Sequence, residues 1–139
     1  MLTRPLLLLR LEGLALLLAA ITLYAAGSGS WWLFALALFA PDLAMLGYAG
    51  GSRLGAALYN LAHTTLLPLA LGVTAYLADA TLPLQVALIW LAHIGLDRMV
   101  GYGLKHPSAF GDTHLGPIGR RGAGTQPRAG SASDPGRMP

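Results

Sequence analysis

Four apolar stretches, each about as long as a bilayer is thick, follow one another along this chain with only short polar breaks between them. A membrane-crossing helix needs about 20 consecutive, predominantly apolar residues. The stretches run from about 5 to 26, 31 to 49, 54 to 77 and 83 to 102. They are separated by Gly27-Ser28-Gly29-Ser30, by Gly50-Gly51-Ser52-Arg53 and by Ala78-Asp79-Ala80-Thr81. Such spacing predicts an all-α fold, an integral membrane four-helix bundle whose neighbours run antiparallel. Composition points the same way. Of 139 residues, 55% are hydrophobic and 11% charged, against about 25% charged in an ordinary soluble domain. Arg4 and Arg10 ahead of an apolar run imitate a signal peptide. No cleavage site leads into a soluble domain, so the run reads as a retained first helix.

Charge sets the expected topology. With four antiparallel spans, the N-terminus, the 50–53 break and the C-terminus share one side. All nine Lys and Arg residues fall on that side or within about two helical turns of it. The breaks at 27–30 and 78–82 carry none. The positive-inside rule then places both termini in the cytoplasm. This topology accounts for the net charge of +3, so the lipid bilayer, and no nucleic acid, is the expected partner. The domain organisation that follows is a transmembrane domain over 1–118, with an interfacial segment at 103–118. The Gly-, Ser-, Pro- and Arg-rich tail at 119–139 is expected to be disordered.

Ionisable groups inside spans are expensive and tend to face a protein interior or a wet cavity. Glu12, Asp42, His63, His93 and Asp97 are such groups. At 1.5 Å per residue they lie about 8–14 Å from helix ends that share one membrane face. One acidic or imidazole group from every span is therefore expected to converge on a single layer. His93 and Asp97, four residues apart, share a helix face, as do Tyr59 and His63, with Asn60 beside them. Pro41 and Pro68 remove backbone donors in mid-span and predict kinks. There is no cysteine, which excludes disulfides and thiolate-bound metals.

His and carboxylate donors suit a divalent metal such as Zn²⁺, Mn²⁺ or Fe²⁺. Asp42, His63, His93 and Asp97 are the expected ligands. Glu12 is a candidate base, and Arg98 or Lys105 would neutralise a substrate anion. Asp112 and His114 could fold over the mouth as a lid or as extra ligands. The chemistry expected of such a site is metal-assisted hydrolysis of a lipid ester or phosphoester. Three other readings fit the same residues: proton or cation transport by a homo-oligomer, a haem held by His63 and His93, and a purely structural set of hydrogen bonds.

Several stretches also resemble a known family. Pro41-Asp42-Leu43-Ala44-Met45-Leu46-Gly47-Tyr48, Tyr59-Asn60-Leu61-Ala62-His63-Thr64, Trp90-Leu91-Ala92-His93-Ile94-Gly95-Leu96-Asp97-Arg98, Gly101-Tyr102-Gly103-Leu104-Lys105 and Asp112-Thr113-His114-Leu115-Gly116 resemble the domain of unknown function 4260 family. The resemblance implies a small bacterial multi-helix membrane protein, placed in the cytoplasmic membrane, and no particular activity. The Pro-Asp segment, the His-Thr pair and the later His-x-x-x-Asp are also similar, more weakly, to inner-membrane metal-dependent hydrolases regulated by the LexA repressor. That similarity implies Asp42, His63, His93 and Asp97 as metal ligands.

Overall fold

The computed structural model describes residues 5–104 and the backbone of two short strands, β1 (Asp112–Thr113) and β2 (Gly116–Pro117), which pair antiparallel. Arg4, Lys105, His114 and the 119–139 tail lie outside the described residues, as does the side chain of Asp112. Within 5–104 the chain is helical: α1 (Pro5–Ala26), α2 (Trp31–Ala37), a 3₁₀ helix (Ala40–Gly50), α3 (Ser52–His63), α4 (Leu66–Leu77) and α5 (Thr81–Val100).

Two of the apolar stretches are broken, and proline explains both breaks. A proline inside a helix lacks the N–H that would bond the carbonyl four residues back, and its ring clashes with that carbonyl. Four residues before Pro41 is Ala37, the last residue of α2. The chain continues as an 11-residue 3₁₀ helix, far beyond the three or four residues usual for that conformation. Four residues before Pro68 is Thr64, which turns extended (φ −78°, ψ 141°) and ends α3 at His63. The kinks expected at Pro41 and Pro68 are therefore full interruptions, displaced toward the N-terminus. Pro5 and Pro83 do no such damage, because they sit in the first turns of α1 and α5, where no intrahelical donor is needed.

Three runs are long and apolar enough to cross a membrane: Pro5–Ala26, Trp31–Gly50 and Ser52–Leu77. Most of their side chains face outward. No residue of the most apolar window in Trp31–Gly50 is buried, and Leu36 and Leu46 are 80% and 73% exposed. Such surfaces suit lipid rather than water. The fourth expected span, α5, is not among the three. Gln85, His93, Asp97 and Arg98 lower its hydropathy, and it is the most enclosed helix, with Leu91–Gly95 buried without interruption.

α5 is the central element. α1 packs along it on one side and α4 on another. The 3₁₀ helix and α3 pack chiefly on each other and touch α5 sparingly. A seam thus divides the α1–α4–α5 body from the 3₁₀–α3 hairpin. On the body side, α1 and α5 approach until their backbones nearly touch. A Cβ on Gly95 would lie 2.6 Å from the Leu17 nitrogen and 2.8 Å from the Gly13 carbonyl oxygen. Gly72 differs, since its Cβ would rest 3.5 Å from Ala87, at ordinary contact.

In an open helix, Gly→Ala gains about 1 kcal/mol. Gly95→Ala should instead lower the thermal midpoint in detergent, because the new methyl group meets backbone that cannot yield; overpacking of this kind costs about 1–3 kcal/mol. Gly72→Ala should leave the midpoint unchanged or raise it. Equal shifts in the two variants would show that α1 and α5 do not meet in this way.

Candidate metal centre

The two helix breaks deliver two side chains to one point. Asp42 sits in the first turn of the 3₁₀ helix, its N–H bonded to the Phe39 carbonyl at 3.1 Å. His63 is the last residue of α3. The unbroken α5 supplies His93 and Asp97 one turn apart. All four meet across the seam.

The distances describe a cage. His63 Nε2 lies 3.3 Å from Asp42 Oδ1 and 3.5 Å from Asp97 Oδ2. His93 Nε2 lies 3.5 Å from Asp42 Oδ1 and 3.7 Å from Asp97 Oδ2. The two Nε2 atoms are 3.1 Å apart. One ligand atom from each residue lies within 4.8 Å of every other. A regular tetrahedron whose corners sit about 2.1 Å from its centre has edges of about 3.4 Å, and about 2.0–2.2 Å is the length of zinc bonds to imidazole nitrogen and carboxylate oxygen. These four residues could hold a metal ion.

Their hydrogen bonds point to the same conclusion. His63 Nδ1 lies 2.9 Å from the Tyr59 carbonyl oxygen. A carbonyl only accepts, so the proton is assigned to Nδ1. In neutral His63, Nε2 then presents a lone pair to two carboxylates and a second imidazole. Such an outer hydrogen bond is the usual device for fixing the tautomer of a metal-binding histidine. The Tyr59 ring stacks on His63 (centroids 3.7 Å apart, planes 12°), and its hydroxyl donates to Asp97 Oδ2 at 3.4 Å. His93 Nδ1 is buried with no hydrogen-bond partner among the described residues. Packing holds that ring instead: it is 1% exposed, with Phe39 edge-on at 6.2 Å.

The site has a closed and an open side. His63 and His93 are buried, while the Asp42 and Asp97 side chains are 39% and 19% exposed. A small cleft reaches the carboxylate side, lined by Tyr59, His63, Asp97, Arg98 and Tyr102. Arg98 therefore lines the same cleft as His63 and Asp97. Asn60 is partly buried on the same helix as Tyr59 and His63. Glu12 is exposed on α1 and is not one of the four, so the convergence expected from every span involves three of the four apolar stretches. The imidazole spacing of 3.1 Å between Nε2 atoms leaves no slot for a porphyrin, whose iron would take one histidine on each face. Phe39, Trp90 and Tyr102 were not legible as neighbours of the site from spacing alone. Their positions beside Pro41-Asp42, one turn before His93 and one turn after Arg98 were the available signal.

Fold and site together define an all-helical protein with membrane-grade apolar helices around a two-histidine, two-aspartate cluster. The chain belongs to the domain of unknown function 4260 family, whose model matches residues 6–118. No curated protein and no solved structure matches it.

Because the four clustered residues come from both sides of the seam, binding of an ion there would be linked to folding. Zn²⁺ at about 100 times its Kd should stabilise the protein by about 2.7 kcal/mol. The readout is a rise in thermal midpoint that a chelator reverses. Asp42→Asn and His93→Ala should each abolish the rise.

Proposed function

We propose that the protein binds a divalent metal ion, zinc by its donor set and spacing, between Asp42, His63, His93 and Asp97. One observation carries this reading: two imidazole nitrogens and two carboxylate oxygens gather at one point, each nitrogen 3.1–3.7 Å from the other nitrogen and from both oxygens. A single proton between the imidazoles satisfies one of those contacts, whereas one dication satisfies all of them. Two carboxylates, two neutral imidazoles and a dication also sum to zero charge, which suits a low-dielectric surrounding.

The chain is proposed to cross the bacterial cytoplasmic membrane four times, with both termini inside. The one-sided distribution of Lys and Arg supports that orientation. α5 is the fourth span; its polar residues turn to the site and its neighbours shield it from lipid, so it needs less hydropathy than they do.

The chemistry proposed is hydrolysis of a lipid ester or phosphoester. A metal ion supplies Lewis acidity and lowers the pKa of water it holds to about 7. The chain's own residues do the rest. Tyr59 orients His63 and Asp97, and Arg98 receives the substrate's negative charge from the cleft. Glu12 stays on the exposed face of α1 and takes no part in the arrangement seen. A second reading has its own support. Four protein ligands are the mark of closed, structural zinc sites, and here such an ion would tie the hairpin to α5. Cation transport is less favoured, since conduction needs binding weak enough to release the ion.

Elemental analysis of purified protein tests the metal. The expected result is about one ion per chain, held by the wild type and by Glu12→Gln and lost in His93→Ala. A chain that carries no metal and takes up neither Zn²⁺ nor Mn²⁺ would refute the centre. Zinc-dependent hydrolysis of a fluorogenic phospholipid in nanodiscs, lost in Arg98→Gln with zinc still bound, separates the hydrolase from the structural tie.

A further inference from the structure

Two apolar cavities open along the seam, each lined by the chain neighbour of a cluster residue. The first, about 260 Å³, is lined by Ala37, Ala40, Pro41, Val86 and Trp90. Pro41 immediately precedes Asp42. The second, about 270 Å³, is lined by Ala44, Leu58, Leu61, Ala62, Leu67 and Trp90. Ala62 immediately precedes His63. Trp90 is the wall they share, pinned by its indole N–H to the Ala62 carbonyl. Both open among helices with membrane-grade hydropathy, where the available solvent is acyl chain.

α5 carries a polarity gradient past this point. Val86, Trp90, His93 and Asp97 recur at helical spacing on one face. Arg98 and Tyr102 follow, in the cleft on the carboxylate side. Over about 18 Å from Val86 to Arg98, the surroundings pass from apolar cavity through the metal ligands to a cation. That order is the order of an anionic amphiphile read from tail to head.

We propose that the ligand of this site is an anionic glycerophospholipid, with its headgroup phosphate against Arg98 and one acyl chain in each cavity, on either side of Trp90. Two cavities of nearly equal volume with a common wall fit a two-chain lipid, and Arg98 supplies the complementary charge. The lipid's ester and phosphoester groups then lie at the ligand cluster. The assignment rests on the metal-centre reading for what happens to the lipid there, but not for where the lipid binds.

Trp90 reports the test. The chain has three tryptophans, and Trp31→Phe with Trp32→Phe leaves Trp90 as the sole one. This full-length variant is placed in phosphatidylcholine nanodiscs doped, at equal mole fraction, with chain-brominated phosphatidylglycerol or chain-brominated phosphatidylcholine. Bromine on a seated chain quenches Trp90. The anionic lipid should be enriched about fivefold at the site, the factor that one basic residue near an anionic lipid provides. Arg98→Gln should erase the preference and Arg98→Lys should largely keep it. Equal quenching by the two lipids overturns the proposal. So does a change in Trp90 emission with inorganic phosphate in pure phosphatidylcholine when no lipid preference is seen, since the cleft then takes a free anion. Metal content is measured on the same samples. A lipid preference without metal removes the metal centre and leaves the lipid site; metal without a preference does the reverse.

Discussion

Two imidazoles and two carboxylates held face to face are the constraint around which this molecule is arranged. The Tyr59 carbonyl claims the one proton of neutral His63, so the histidine can only accept from what lies at its other nitrogen. What lies there is a second imidazole and two carboxylates. Like partial charges at such distances repel, and burying them raises the cost. A fold that brings them together on unbroken helix and at fixed helix ends must recover that cost from something positive. The divalent ion proposed above would be the smallest addition that does so, and it would leave the cluster without net charge.

The backbone breaks belong to the same arrangement. An uninterrupted helix through Pro41 would carry Asp42 on as part of a regular α-helix, and one through Pro68 would continue past His63. The interruptions take Asp42 out of α-helical register and leave His63 at a helix end. Asp42 is presented by a 3₁₀ turn and His63 by a helix end. His93 and Asp97 need no break, because the i, i+4 relation on α5 already points them the same way. Half the cluster is thus fixed by helical geometry and half by proline.

This division explains what could be read from the sequence. The apolar stretches, their approximate limits and the four residues that cluster were legible, since hydropathy and the cost of a buried charge act locally along the chain. Glu12 seemed equally qualified by depth, but depth says nothing about rotation, and α1 turns that residue outward. The helix breaks were anticipated as kinks and placed at the prolines; the physical effect falls four residues earlier, on the carbonyl left without a donor. The α1–α5 contact was not legible at all. Gly13 and Gly95 look like ordinary glycines in apolar runs. Only the other helix's backbone, within 3 Å of where a Cβ would stand, reveals that they set the distance between the two helices.

That contact bears on the site through rigidity. Gly13 and Gly95 let α1 lie against α5 along the same stretch that carries His93 and Asp97, so two of the four ligands rest on a tightly packed body. The other two rest on a hairpin that touches this body sparingly. A seam with little packing of its own, crossed by strong donors at one level and lined by apolar cavities above it, can be closed by an ion and filled by lipid. The bilayer is then more than the solvent of the fold. On the two proposals made above, its chains would occupy the space that the hairpin leaves unpacked, and an ion at the cluster would fix how far the hairpin can move from α5.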